Sequence, residues 1–319
     1  MVTANALRIV FFGTPEFAVP TLDALLQSRH RVAGVVTRPD RPRDRGQRVS
    51  DGPVKGRALE AAVPILQPAR LKDGAFLSSL AALGADLGVV VAYGRILTDE
   101  LLRTPRLGLI NVHASLLPKY RGAAPVQRAI IDGEPATGVT IMRIVKELDA
   151  GPMLASVRRP IGRAETSEEV ERDLARLGAQ LLVSTVDALA DGAVTETPQD
   201  DAASTYAQRL TKEDGRIEWA RPAVRIHNLI RGLHPWPHAY TRRGSERLII
   251  RRAEPSPVSE DVPPGTVLRA SGDDLWVATG EGTLRVIELQ AEGKRAMPVR
   301  EFLAGHHLVL GERFGPFGS

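Results

Sequence analysis

Two polar residues, Asn111 and His113, stand at the end of the apolar run 107–112 (LGLINV). Such a run predicts a buried strand, and residues two apart on a strand point to the same face. The imidazole of a histidine exchanges protons near neutral pH, so it is suited to general acid–base catalysis. The pair therefore predicts a catalytic histidine at the carboxyl end of a strand, with a structural or surface histidine as the alternative.

A carboxylate that would complement this histidine follows the predicted strand 137–145. Asp149 precedes Ala150-Gly151-Pro152 in the segment KELDAGPM. An aspartate in this context commonly forms a turn. Beside an imidazole it would instead orient the ring and stabilise the imidazolium. Both interpretations stay open, because spacing alone does not place Asp149 next to His113.

An arginine-rich segment, TRPDRPRDRGQRVSDGPVK, follows the predicted strand 32–37. It is too rich in proline and glycine for a helix and too polar for a core. A solvated surface loop is one interpretation. The other is an arm that contacts phosphates, since guanidinium groups bind phosphate oxygens in a forked geometry. The position after a strand favours the second, because open α/β sheets bind ligands at the carboxyl ends of their strands. The arginines are Arg38, Arg41, Arg43, Arg45 and Arg48.

The remaining pattern predicts the elements that would position these residues. Runs typical of strands occur at 7–12, 32–37, 86–92, 107–112, 137–145 and 153–157. Helical patterns lie at 55–62, 73–83 and 166–190. In addition, Thr14 before Pro15 predicts the start of a first helix, with Thr14 as its N-cap. Alternating strands and helices predict a parallel, doubly wound α/β sheet.

A second domain is predicted beyond the polar stretch 195–204 (TETPQDDAAS). A helix near 222–231 is followed by short β-like runs at 248–251, 266–268, 275–278 and 284–289. This pattern predicts a small β-barrel or sandwich. We therefore expect a first domain at 1–192, a linker at 193–208 and a second domain at 209–319.

Composition excludes several classes of protein. The 319 residues contain no cysteine, which removes disulfides, thiolate metal sites and a cysteine nucleophile. No stretch approaches ~18 uninterrupted apolar residues, and the amino terminus does not resemble a secretion signal. We therefore expect a cytoplasmic protein without a membrane span. The other histidines lack metal-ligand spacing, so we expect no metal site. The net charge of +4 permits a polyanionic partner without requiring one.

Taken together, the motifs resemble those of the folate-dependent formyltransferase family and, within it, the methionyl-tRNA formyltransferases. The resemblance covers nearly the whole chain. HASLLPKYRGAAP with the later LDAGPM is typical of folate-dependent formyltransferases, and the arginine-rich segment and the C-terminal motifs narrow the match to the tRNA enzymes. The motifs are FFGTPEFA, TRPDRPRDRGQ, VVVAYGRIL, INVHASLLPKYRGAAPVQRAI, TGVTIMRIVKELDAGPML, YAQRLTKEDGRIEW, LHPWP and AEGKRAMP.

The resemblance implies an α/β fold: a Rossmann-like formyltransferase domain with a parallel-rich sheet, followed by a small OB-like β-barrel domain. It implies that 10-formyltetrahydrofolate donates its formyl group to the α-amino group of methionine on initiator methionyl-tRNA, in translation initiation. The amine would attack the formyl carbon directly, through a tetrahedral intermediate. By motif, the catalytic residues would be Asn111, His113 and Asp149.

Binding residues are also carried over by motif. The folate-binding segment would be Ser115, Leu116, Leu117 and Pro118, with a pterin-pocket loop at Tyr93, Gly94, Arg95, Ile96 and Leu97. The tRNA would contact Arg38, Arg41, Arg43, Arg45 and Arg48, with Arg45 matching a key arginine of the family. Asp44 and Gln47 depart from the family pattern there, which leaves the phosphate contacts open. The resemblance further implies a monomer that uses no metal.

Two other classes of function stay open: a formyltransferase with a different acceptor, and a non-catalytic RNA-binding protein. A formyltransferase for glycinamide ribonucleotide or for an amino sugar would share Asn111, His113 and Asp149. The C-terminal extension disfavours the first of these, and the arginine-rich segment and AEGKRAMP disfavour the second. A non-catalytic RNA-binding protein on the same scaffold is disfavoured by the intact set of three candidate catalytic residues.

Overall fold

The computed structural model describes residues 6–40, 42–43, 48–49 and 51–315. The chain divides into two compact units. The first unit comprises Met1–Pro125, Thr137–Arg159 and Glu171–Ala207, and the second comprises Val126–Ala136, Pro160–Val170 and Gln208–Ser319. The predicted division at 193–208 stays a prediction.

The chain alternates strands and helices up to residue 207. The strands are β1 (Arg8–Gly13), β2 (Arg31–Val36), β3 (Pro42–Arg43), β4 (Arg48–Val49), β5 (Ile65–Leu66), β6 (Leu87–Val91), β7 (Leu109–His113), β8 (Arg121–Gly122), β9 (Ala136–Arg143), β10 (Met153–Pro160) and β11 (Tyr206–Ala207). The helices are α1 (Val19–Gln27), α2 (Pro53–Glu60), α3 (Gly74–Ala82), α4 (Asp99–Arg103), α5 (Pro125–Asp132) and α6 (Ser167–Ala190).

Seven of these strands form one sheet in the order β10-β9-β7-β6-β1-β2-β5. The pairs β7–β6, β6–β1, β1–β2 and β2–β5 are parallel, whereas β9 runs antiparallel to β7. The predicted parallel-rich α/β fold is therefore confirmed. Because β1, β6 and β7 are parallel, their carboxyl ends share one edge of the sheet.

Strand β1 is apolar from Ile9 to Phe12 because both faces of the sheet are covered. Ile9, Val10 and Phe11 are fully buried, as are Leu174 and Leu182 of α6. Burying each such side chain stabilises the fold by about 1.5–3 kcal/mol. Helix α6 lies close to the sheet at Gly178, where a Cβ atom would come within 2.9 Å of Val112 Cγ1.

The predicted start of the first helix is wrong. Residues Glu16–Ala18 form a single 3₁₀ turn with Pro15 as its N-cap, and α1 begins at Val19 with no capping bond from Thr14. The reason is Pro20, whose missing N–H suits the first turn of a helix and sets the start of α1 there. The preceding residues are left to form the turn that leaves β1.

The second unit contains an antiparallel sheet packed against helices. Its elements are α7 (Ala223–Gly232), β12 (Ala239–Arg243), β13 (Glu246–Ser256), β14 (Val267–Ser271), β15 (Asp274–Ala278), β16 (Thr283–Ala291), β17 (Met297–Pro298) and α8 (Val299–Gly305). The strand order is β12-β13-β16-β15-β14, with β17 beside β16. Ile226 and Ile230 of α7 pack with Leu248, Val277 and Phe302 in one core. A smaller β-rich domain after the α/β domain is thus confirmed. Across the described residues, no helix is both long and apolar enough to span a membrane.

Candidate active site

Strand β7 carries Asn111 and His113 to the carboxyl edge of the sheet. Asn111 pairs with Val90 of β6 on one side and with Met142 of β9 on the other. Successive side chains of a strand alternate between faces, so Val112 points toward α6 and its two neighbours point away from it. The two polar residues therefore share the face opposite α6, as their spacing predicts. Asn111 is half-buried there, and His113 is only 5% exposed.

The imidazole of His113 is fixed by a hydrogen bond with a backbone carbonyl. Its Nε2 lies 2.9 Å from the carbonyl oxygen of Tyr120. Because a carbonyl only accepts hydrogen bonds, Nε2 carries a proton and donates it to this bond. Nδ1 is then the nitrogen that can gain or lose a proton.

Asp149 faces this second nitrogen. Its Oδ2 lies 3.7 Å from Nδ1 of His113 and accepts a 2.8 Å hydrogen bond from the backbone N–H of Gly122. The approach depends on the loop after β9, which starts beside Ile110 because β9 is antiparallel, and then folds back toward His113. Asp149 itself has a left-handed backbone, with φ of 50°. The two residues that the sequence could not bring together are therefore adjacent.

The segment Ser115–Pro118 continues directly from β7 and is tied to β9. The hydroxyl of Thr140 donates to the carbonyl of Ser115 at 2.7 Å and accepts from the N–H of Leu117 at 3.2 Å. The hydroxyl of Ser115 donates to the carbonyl of Lys119. Leu117 is buried, whereas Leu116 and Pro118 are half-buried. These bonds give the predicted folate-binding segment a fixed shape next to His113.

The predicted pterin-pocket loop follows β6, the neighbour of β7. Tyr93 is buried with its ring edge-on to Phe12, and burial raises the pKa of its phenol. Arg95 donates to the carbonyls of Pro68 and Ala69, which ties this loop to the chain after β5. Ile96 is 90% exposed. Gly94 adopts a φ of 73°, and the half-buried Leu97 completes the loop.

The predicted tRNA-binding arginines are only partly described. The side chain of Arg38 is half-buried beside Gly94, where a Cβ atom would lie 3.6 Å from its Nη1. Arg43 and Arg48 face each other in the antiparallel pair β3–β4, of which only the backbone is described. Arg41 and Arg45 lie outside the described residues.

Sequence reasoning missed the backbone groups that hold the site. Tyr120 supplies the carbonyl for His113 and Gly122 the N–H for Asp149. Both have positive φ, 61° and 116°. Gly122 has no room for a side chain, because a Cβ atom would lie 2.8 Å from the carbonyl oxygen of Ala207. The only signal in the sequence is the glycine of the Tyr-Arg-Gly turn, which marks an unusual backbone but not its purpose.

This arrangement can support acyl transfer between two bound molecules. The edge presents an imidazole nitrogen that exchanges a proton, a carboxylate that faces it and an amide two residues away on the same face. Such groups can relay a proton and stabilise an oxyanion. Within the described part of the chain, no group of three or more His, Asp or Glu side chains is placed to hold a metal ion.

Comparison with known proteins identifies the family. The formyl transferase family matches residues 7–186, and the formyl transferase C-terminal domain matches residues 209–307. The methionyl-tRNA formyltransferase of Acidobacterium capsulatum is 48% identical over 311 residues, which cover 97% of this chain and 100% of that protein. The chain belongs to the methionyl-tRNA formyltransferase family. The sequence resemblance is thereby confirmed, and the chain is a formyl-transferring enzyme.

Solved structures related to this family share the fold at low identity. WlaRD, a sugar 3N-formyl transferase crystallised with dTDP and 5-N-formyl-THF, matches with a TM-score of 0.67 and 18% identity, covering 91% of this chain and 99% of that chain. HypX from Aquifex aeolicus in complex with tetrahydrofolic acid matches with a TM-score of 0.64 and 16% identity, covering 93% of this chain and 47% of that chain. These likenesses show that the chain shares its fold with both proteins.

Proposed function

We propose that this enzyme transfers the formyl group of 10-formyltetrahydrofolate to the α-amino group of methionine on initiator methionyl-tRNA, as a monomer in the cytoplasm. The observation that carries the proposal is the meeting of His113 and Asp149, beside Asn111, at the carboxyl edge of the sheet. The proposed domain division is a catalytic domain at 1–192, a linker at 193–208 and a tRNA-binding domain at 209–319.

Asn111 stabilises charge on the formyl oxygen. When the neutral amine attacks the formyl carbon, the oxygen gains negative charge, and the Asn111 amide donates an N–H to it. One donor of this kind contributes roughly 3–4 kcal/mol to the stability of a transition state. The half-buried position of Asn111 strengthens the interaction, since little water competes for the oxyanion.

His113 moves the proton. The attacking nitrogen must lose a proton as the C–N bond forms, and the departing folate nitrogen must gain one. Because Nε2 is held by the carbonyl of Tyr120, this exchange uses Nδ1. Asp149, whose Oδ2 lies 3.7 Å from Nδ1, places a carboxylate next to the nitrogen that exchanges the proton. Asp149 is itself held by the N–H of Gly122, so the carboxylate stays in place through the cycle.

The residues beside His113 fit a folate. A pterin is a flat ring with polar edges. The loop 93–97 after β6 presents the exposed Ile96, and its backbone groups lie at the same edge of the sheet as His113. Ser115, Leu116, Leu117 and Pro118 follow β7 at the same edge, and Tyr93 and Leu97 anchor the loop in an apolar cluster. The bound donor supplies an activated formyl group, so the transfer needs no metal ion. The tetrahydrofolic acid bound by the related HypX agrees with this assignment.

The acceptor is assigned to the arginine-rich segment. Arg38, Arg41, Arg43, Arg45 and Arg48 follow β2, whose carboxyl end lies on the same edge as that of β7. Arginine side chains bind the phosphates of a nucleic acid and add affinity that depends on salt. Arg38 lies next to Gly94 of the predicted pterin-pocket loop.

A formylation assay tests the proposal. Purified protein, methionine-charged initiator tRNA and 10-formyltetrahydrofolate should yield formylmethionyl-tRNA. His113→Ala and Asp149→Ala should lower kcat by about 10²-fold or more, since each removes a part of the proton relay. Near-normal rates in either variant would refute the mechanism.

The same assay separates the other functions. Replacing the charged tRNA by glycinamide ribonucleotide or by a nucleotide-linked amino sugar should give no formylated product. A gel shift with initiator tRNA but no formyl transfer would instead support a non-catalytic RNA-binding protein and contradict the proposal.

A further inference from the structure

The stretch 193–208, which was expected to be a linker, is hydrogen-bonded to other parts of the first unit near both of its ends. Near its start, Thr197 and Met153 exchange two backbone hydrogen bonds of 2.8 and 2.9 Å. Near its end, β11 pairs in parallel with β8, and the N–H of Arg121 donates to the carbonyl of Thr205. The residues between these two attachments are therefore held at one end by β10 and at the other by the segment that follows His113.

Gln199 lies between the two attachments and uses its whole amide group. Its Nε2 donates to the carbonyl oxygens of Asp149 and Gly151, both at 2.8 Å. Its Oε1 accepts from Nε and Nη2 of Arg121, at 3.1 and 2.9 Å. The orientation of the amide is settled by these partners, because a guanidinium only donates and a carbonyl only accepts.

These four bonds join the two chain segments that carry the candidate active site. Arg121 lies between Tyr120, whose carbonyl binds His113, and Gly122, whose N–H binds Asp149. Asp149 has φ of 50°, a left-handed conformation that is uncommon for a residue other than glycine and that neighbouring contacts help to hold. The bond from Gln199 to the Asp149 carbonyl holds the backbone at that residue.

We propose that Gln199 is a positioning residue for formyl transfer: it fixes the Asp149 backbone relative to the Tyr120–Gly122 turn and thereby sets the distance between Asp149 and His113. This inference rests on the proposed function, since it assigns Gln199 a role in the same reaction. Gln199 does not touch the reacting atoms; it acts through Asp149.

Only glutamine satisfies both sides of this contact. Asparagine is one methylene shorter and does not span from Arg121 to the two carbonyls. Glutamate keeps an acceptor for Arg121 but sets a carboxylate against the carbonyls of Asp149 and Gly151, which repels them. Methionine keeps the volume of the side chain but loses all four bonds. Arg121 is 3% exposed, so loss of its partner also leaves a buried cation with fewer acceptors.

The test compares formylation rates of Gln199→Met and Gln199→Glu with the unsubstituted enzyme. We expect kcat to fall about tenfold or more in both variants, because small displacements of a catalytic group have large effects on rate. KM for 10-formyltetrahydrofolate and for methionyl-tRNA should stay within about threefold, since Gln199 contacts neither. Glu196→Gln is the matched control: it lies in the same stretch and pairs with Arg143, outside this network, and should leave kcat unchanged.

A double-mutant cycle separates positioning from general stability. In an Asp149→Ala background, Gln199→Met should change the single-turnover rate by less than about twofold, because its effect passes through the missing carboxylate. A loss as large as in the unsubstituted background would overturn the inference, as would an unchanged kcat in Gln199→Met. Rates are normalised to the folded fraction from thermal melts. If Gln199→Met does not fold, Gln199→Glu, which keeps its contact with Arg121, enters the cycle instead.

Different results would refute the proposed function and the role of Gln199. An unsubstituted enzyme that does not formylate methionyl-tRNA contradicts the proposed function and this inference with it. An active enzyme whose kcat is insensitive to Gln199 contradicts the inference alone.

Discussion

At the scale of single residues, the two ring nitrogens of His113 have different partners. Nε2 is committed to the Tyr120 carbonyl, so it orients the ring, while Nδ1 faces Asp149 and is the position for proton exchange. The direct hydrogen bond that holds the ring thus comes from the backbone, and the carboxylate acts across 3.7 Å by its charge. In the proposed mechanism, Asn111 contributes a separate hydrogen-bond donor.

Asn111→Ala should therefore lower kcat by about 10²–10³-fold, the usual effect of removing one oxyanion donor. The KM values for 10-formyltetrahydrofolate and for methionyl-tRNA should stay within about twofold, because the oxyanion exists only in the transition state. Steady-state formylation kinetics and a thermal melt measure these quantities. A rise in KM with unchanged kcat would assign Asn111 to substrate binding instead of to catalysis.

The sequence predicted part of this site because part of it depends on strand geometry alone. Asn111 and His113 share a face since they are two residues apart on a strand, and this follows from the alternation of side chains. Asp149 reaches His113 only because β9 is antiparallel and its loop folds back, and the sequence does not specify that direction. The Tyr120 carbonyl could not be predicted for another reason. Every residue has a backbone carbonyl, so nothing in the sequence marks the one that binds His113.

At the scale of elements, helix α2 holds together the two ends of the arginine-rich segment. The ammonium group of Lys55 lies 2.5 Å from Asp40 near the start of that segment and 2.6 Å from Asp51 near its end. Gln67 adds a bond to Asp40 and another to the carbonyl of Arg38. The bond from Lys55 holds the pKa of Asp40 below its usual value, and both carboxylates raise the pKa of Lys55. The ions are partly exposed, so their role is more in geometry than in stability.

Lys55→Met should therefore raise KM for methionyl-tRNA about threefold or more, because the two ends of the arginine-rich segment are then no longer joined before the tRNA binds. Neither kcat nor KM for 10-formyltetrahydrofolate should change, since Lys55 is not part of the proton relay. The matched control is Arg57→Met, which removes the same charge from the same helix but breaks an ion pair with Asp23 of α1. Equal effects of both substitutions would show that net charge alone matters and contradict the role of Lys55.

The elements themselves were largely predictable, with failures of a definable kind. Buried strands such as β1 and β6 are continuous apolar runs, and α6 has a clear apolar stripe. Short elements such as α5 and β11 escaped, because two to eight residues carry too little periodicity. The stretch 193–208 is polar because it runs over the surface, and polarity does not reveal that Gln199 binds the backbone carbonyls of Asp149 and Gly151.

At the scale of the whole molecule, the second unit has an acid sensitivity of its own. Burial, together with the nearby Arg231, lowers the pKa of His227 to about 4. Burial and the cations Arg251 and Arg247 lower the pKa of His238 to about 4 as well. Nε2 of His238 lies 3.1 Å from Nη1 of Arg251, and since arginine only donates, the ring must be neutral to accept that bond.

The second unit should therefore lose stability as pH falls from about 6.5 to about 4, since a histidine in the unfolded chain binds a proton near pH 6.5 while these two do not until about 4. The stability that the neutral His227 and His238 contribute is fully present above about pH 6.5. Urea unfolding followed by tryptophan fluorescence measures it, because Trp219, Trp236 and Trp276 all lie in the second unit. The urea midpoint should fall steadily between pH 7 and pH 5.

The control is a double variant, His227→Gln with His238→Asn, which removes both titrating rings. Asparagine suits position 238 because that residue has φ of 66°, a left-handed conformation that asparagine adopts readily. The variant should be less stable at pH 7 yet show a much smaller loss between pH 7 and pH 5, since carboxylates with lowered pKa values, such as those of Asp214 and Glu312, titrate below this range. An undiminished pH dependence in the double variant would assign the acid sensitivity to groups other than these two histidines.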